Sequence, residues 1–201
     1  MDNRIRELLE QIGTLEDELK AALHQRESRV LFTLNGKRVE FAAGIAEANR
    51  RLKRGFLRWL VTDRPQNLVT GPVIYGMALP MAALDLTVSL YQALCFPIYG
   101  IARVRRADYI VFDRHQLGYL NFVERLHCEY CAYANGLLAY ATEIVARTEQ
   151  YFCPIKHARK VLGTHSRYAR FLEYGDAVDY HARLEAFRVA SARADGGGGT
   201  A

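Results

Sequence analysis

Four residues in the second half of the chain have the type and spacing to hold a metal or to exchange electrons: Cys128, Cys131, Cys153 and His157. Together they read C-x2-C-x21-C-x3-H. Thiolates two residues apart can close on one cation, as can a cysteine and a histidine four positions on, so the set matches a tetrahedral zinc site. Three cysteines and a histidine also suit iron, including an iron–sulfur cluster. The first expectation is therefore zinc or iron binding, structural or sensory. A second uses Cys128 and Cys131 alone as a thiol–disulfide or peroxide-reducing pair, with the thiolate favoured by a helix start. A third treats the cysteines as incidental to a membrane-bound adaptor or scaffold.

The elements that must position these residues can be read from the pattern around them. Residues 109–112 predict a short strand, followed by a helix from near Asp113 or Arg114 into Cys131. After Asn135-Gly136 a second helix covers about 137–151. If that helix is straight, the two half-sites lie roughly 24 Å apart at 1.5 Å rise per residue. One shared ion then requires a bend, an unwound Asn135-Gly136 joint, or pairing across a dimer. Glu124-x-x-His127 has the spacing of half a di-iron site, but no second pair accompanies it. Glu124 reads as a solvated helix residue, and Cys95 as a small buried hydrophobe. The sequence carries no P-loop, G-x-G-x-x-G, G-x-S-x-G or H-E-x-x-H, which turns the reading away from common nucleotide-dependent and hydrolytic chemistries.

Cys128-Glu129-Tyr130-Cys131 with its following apolar helix resembles the centre of the alkylhydroperoxidase D / carboxymuconolactone decarboxylase family. The resemblance covers about twenty residues and implies an all-helical fold with a redox C-x-x-C. That family places a histidine four residues after its second cysteine, where this chain has Asn135, and a relay glutamate where it has Gln116. Both proton-relay groups are thus replaced. Over most of residues 70–160, the runs LYQALCFPIYGIARV, CEYCAYANG and RTEQYFCPIKHA resemble a family of uncharacterised bacterial proteins. That likeness implies one unit holding both the apolar segment and the cysteines.

The net charge of +5 favours anionic partners, and the long apolar segment 68–102 selects lipid over nucleic acid. Its only formal charge is Asp85. The stretch is too long for one span of about 20 residues and too short for two, and Pro72, Pro80 and Pro97 divide it. Arg58 and Arg64 precede it, and Arg103, Arg105 and Arg106 follow. Basic flanks at both ends predict a re-entrant or interfacial hairpin with a turn near Pro80, entered and left from the cytoplasmic face of the inner membrane. Asp85 must then face a protein partner, a helix end or water, or be protonated. Just upstream, residues 43–61 read as a helix whose Arg50, Arg51, Arg54 and Arg58, with Phe56 and Trp59, suit anionic headgroups.

Residues 3–27 place Ile5, Ile12 and Leu19 on one heptad position and Leu8, Leu15 and Ala22 on the other. This predicts either a coiled coil, with a second copy or a partner helix, or an amphipathic helix packed on its own domain. Asn35-Gly36 between two β-rich runs predicts a hairpin over 30–41. Residues 158–195 read as basic helices broken near Gly163 and Gly175. Asp176 would cap the last, which would bury Val178, Leu184 and Phe187. The glycine tail reads as disordered, and the absence of an apolar leader fits reduced thiols in the cytosol.

The fold class expected is mainly α, a helical membrane-surface protein with a broken apolar hairpin and one small β-hairpin. Its segments are 1–29, 30–67, 68–102, 103–195 and 196–201.

Overall fold

In the computed structural model the described residues are 3–30, 32–36, 38–41, 43–53 and 66–193, and they are mainly helical. Arg54, Phe56, Arg58, Trp59, Arg64 and the glycine tail lie outside them. The chain divides into two units, Met1–Met77 with Val111–Ala134, and Ala78–Ile110 with Asn135–Ala201.

In the first unit, helix α1 (Asn3–Val30) is followed by strands β1 (Phe32–Asn35) and β2 (Arg38–Phe41), paired antiparallel with Phe32 opposite Phe41. The turn sits one residue later than the Asn-Gly pair suggests. Asn35 closes the ladder opposite Arg38, and Gly36 takes the positive φ of 62° that a glycine adopts without steric cost. Helix α2 (Ala43–Arg51) is shorter than the expected 43–61, its last turn loosening at Leu52 and Lys53. Helix α3 (Gln66–Gly76) carries Pro72 inside it.

The second unit is built on α4 (Ala78–Tyr99) and the later part of α5 (Phe122–Phe152), with α6 (Tyr180–Arg193) closing it. Pro80 does not mark a turn; it lies in the first turn of α4, where its missing N–H removes nothing. The helical break falls at Met77 instead, one turn earlier, as expected when a proline ring crowds the carbonyl four residues before it. The Ile74 carbonyl there accepts from the Met77 N–H at 3.3 Å and from the Tyr130 hydroxyl at 2.6 Å.

Pro97 lies inside α4 and leaves the Ala93 carbonyl without its usual donor. Arg103 supplies a replacement, its guanidinium donating to that oxygen at 3.0 Å. Gly100, at φ 63°, then ends the helix: the Ile101 N–H reaches back to the Phe96 carbonyl at 2.8 Å, and both side chains are buried.

Helix α5 is one element, not two. Asn135-Gly136 lies within it because Gly136 serves close approach: a Cβ there would stand 2.4 Å from the Tyr109 carbonyl oxygen. That contact also explains why 109–112 forms no strand, since the Tyr109–Ile110 backbone is pressed on the helix and follows a 3-10 turn at Arg106–Asp108. Nor does α5 begin near Asp113. Asn121 and Glu124 exchange reciprocal side-chain bonds to each other's N–H, at 2.9 and 2.8 Å, and set the start at Phe122. Glu124 is thus a capping residue rather than a solvated one.

After α5 the expected run of basic helices is mostly irregular, with a 3-10 turn at Tyr168–Arg170 and positive φ at Gly163 and Gly175. Asp176 does not cap α6; it accepts from the Val178 N–H and from Arg183. Of the three residues expected to be buried there, Leu184 is buried and Phe187 half-buried, while Val178 precedes the helix and is exposed.

Candidate functional site

Helix α4 has its polarity reversed relative to a soluble surface helix. Leu79, Leu86, Leu90, Leu94 and Ile98 recur along one face and are exposed, Leu79 and Ile98 at 77%. Between them the polar side chain on that face is Thr87, whose hydroxyl returns to the Ala83 and Leu84 carbonyls. The polar groups of the helix point the other way, into its own unit. Gln92 is buried, accepts from the Val104 N–H at 2.9 Å and donates to the Val104 carbonyl and to the Tyr140 hydroxyl. Ser89 bonds the same hydroxyl at 3.2 Å, and Tyr91 bonds Thr148 at 3.0 Å.

Asp85 belongs to this inner face. Its carboxylate meets the Arg106 guanidinium at 2.6 Å, with 15% of the side chain exposed. The expectation that this acid needs a protein partner is met by a residue 21 positions later. Val104 lies beside Gln92 and Arg106 beside Asp85, so residues 101–110 return antiparallel along the inner face of α4. Of the arginines after the apolar segment, Arg103 and Arg106 are turned to α4. Arg105 remains largely exposed, 3.8 Å from Asp108. In the other unit Arg50 and Arg51 end α2, both exposed, with Arg51 3.4 Å from Glu47.

A helical stretch Val69–Tyr99, 31 residues, is long and apolar enough to cross a membrane, and none of its most apolar part is buried.

The cysteines are placed differently from the metal expectation. None of the four is joined in a disulfide; Cys128 and Cys95 are half-buried, Cys131 and Cys153 exposed. Cys128 and Cys131 belong to the first unit, Cys153 and His157 to the second. Among the described residues, no three His, Cys, Asp or Glu side chains converge where they could hold a metal ion. The unwound joint at Asn135-Gly136 is absent, because both residues are helical. The His157 ring stacks on Tyr168, and the His157 backbone N–H donates to the Tyr168 hydroxyl at 2.7 Å. Burial and the neighbouring Glu149 push the Cys153 thiol up, which lowers its thiolate fraction for disulfide exchange.

The redox expectation loses its helix-start argument. Cys128 lies beyond the first turn of α5, and the dipole effect fades within that turn. Gln116, at the relay position of the resembled family, has a structural partner: it accepts the Val39 N–H at 2.7 Å and ties β2 to the loop before α5.

A group that sequence reasoning missed is the charged relay inside the second unit. Glu143 accepts from Arg147 at 2.8 Å and Arg167 at 2.7 Å; Arg147 also reaches the Ala102 carbonyl, and Arg167 reaches Gln150, which bonds Ser191 of α6. Burial raises the Glu143 carboxyl, but the hydrogen bonds and charges of Arg167 and Arg147 outweigh it and hold the group below its usual range. Spacing alone marks only the Glu143–Arg147 pair; Arg167 arrives through tertiary folding.

Comparison with family models, curated proteins and solved structures gave no match to this chain.

Proposed function

We propose that this chain works at the surface of an anionic membrane, with α4 lying in the plane of one leaflet. The observation that carries this reading is the reversed polarity of α4, leucines outward and Asp85, Ser89 and Gln92 inward. An apolar stripe of this length on a water-facing surface marks a site that something apolar covers. At 1.5 Å per residue α4 spans roughly 33 Å, enough to cross a hydrocarbon core. Crossing would, however, carry the irregular backbone of residues 101–110 and the exposed Arg105 into lipid, where unpaired backbone and an unshielded cation are costly. Lying flat sinks the leucines into the acyl boundary and leaves that return segment on the water side. Arg105 then favours the anionic cytoplasmic face.

The test is flotation of the purified chain with phosphatidylglycerol-containing vesicles. Leu86→Glu with Leu90→Glu is expected to weaken partitioning about 100-fold or more, from two side chains at about 1.5 kcal/mol each. A depth-quenching label at position 90 should lie in the acyl boundary, and one at 105 in water. Unchanged flotation of the double variant overturns the reading, and a deeply quenched label at 105 replaces the flat arrangement with a spanning one.

A further inference from the structure

Helix α1 has a face that none of the described residues of its unit covers. From Glu10 to Leu23 every side chain is exposed except at Gly13, which is half-buried. Helices in proteins draw most of their stability from packing an apolar face against something. Leu8, Ile12, Leu15, Leu19 and Ala22 are exposed and separated alternately by four and three residues, with Leu15 at 62%; Ala21 and Leu23 beside them are exposed as well. That 3.5-residue period is the period of a helix-pairing seam; a helix packed on a globular core drifts to 3.6.

We propose that α1 forms a parallel two-stranded coiled coil with α1 of a second copy of this chain. Lipid does not fit the seam. Residues 7–18 carry Glu7, Glu10, Glu16, Asp17 and Glu18 and no cation, which repels an anionic surface. A second copy does fit. In a parallel, in-register pair the positions flanking the exposed seam meet as Gln11 with Glu16 and Glu18 with Leu23, so no like charges face each other there. One seam position holds Ile5 and Ile12 with Leu19, and the other holds Leu8 and Leu15; isoleucine at the first with leucine at the second favours two parallel strands.

Light scattering on the full chain in nonionic detergent, which covers the α4 stripe, is expected to give twice the single-chain mass. Leu15→Glu with Leu19→Glu should halve it. A Leu15→Cys variant, oxidised and digested, should yield by mass spectrometry a disulfide-linked peptide joining position 15 of one copy to position 15 of the other. An antiparallel pair, with position 15 facing position 12, cannot form that product. A single-chain mass for the unaltered protein overturns the proposal, as does a dimer that survives both glutamates. Vesicle flotation is scored separately, so failure here leaves the membrane reading standing.

Discussion

The guanidinium of Arg106 holds Asp85 by both carboxylate oxygens, Nη2 to Oδ2 at 2.6 Å and Nε to Oδ1 at 3.0 Å. The pair fastens the return segment along α4 and neutralises the one formal charge of residues 68–102. Arg106→Gln is expected to lower the unfolding free energy by about 1–3 kcal/mol, since it leaves a mostly buried carboxylate without its cation. Adding Asp85→Asn should recover part of that loss. Urea unfolding in detergent reads both, and strictly additive costs would mean that the two residues do not interact.

Gly136→Ala sets local propensity against packing. Propensity alone predicts a gain of about 1 kcal/mol in a helix interior. The new Cβ would meet the Tyr109 carbonyl oxygen at 2.4 Å, so a net loss of roughly 2–4 kcal/mol is expected. A thermal midpoint that rises in the alanine variant would show that the close approach does not exist.

Glu143 makes stability depend on pH in a defined direction. Its carboxyl titrates lower in the folded chain than when unfolded, because Arg167 and Arg147 favour the ionised form more than burial disfavours it. The folded state therefore gains from this group fully above the unfolded value of about 4.3, and loses that gain as pH falls through the lower folded value. Glu143→Gln should reduce stability at pH 7 and flatten the acid limb of a urea-midpoint profile. A variant with an equally steep limb would place the acid sensitivity elsewhere.

Cys153 should react slowly for an exposed thiol. Burial and Glu149 raise its pKa, so less thiolate is present near pH 8 than for an ordinary cysteine. Timed alkylation followed by peptide mass spectrometry should show Cys153 lagging an exposed reference thiol several-fold, and Glu149→Gln should narrow the gap. Fast labelling of Cys153 in the unaltered chain would contradict this.

The elements that local pattern controls were legible in the residues. Heptad spacing marked α1, Asn35-Gly36 marked the turn region between β1 and β2, and the uncharged run around Asp85 marked the apolar helices, because each rests on backbone bonds and neighbours within a few residues. The break lies one turn before Pro80, at Met77, since a proline disturbs the turn that precedes it. The cysteine set was legible as spacing but not as geometry: C-x2-C and C-x3-H state what two turns of chain can bring together, and nothing about whether two such pieces meet.

Partners far apart in the chain were decided by tertiary structure alone. Gly136 looks like a helix break in isolation and becomes a packing site only because Tyr109 approaches it. Asp85 reads as a costly acid within an apolar run until the chain doubles back and Arg106 reaches it. The inward turn of Gln92 toward Val104 and Tyr140, which leaves the leucines of α4 outside, likewise has no local signature. The sequence by itself determined that α1 and the apolar segment are helical and where apolar residues are concentrated, because those follow from residue type and period. Which face each helix buries, and which charges find each other, depended on long-range packing that no short stretch of residues encodes.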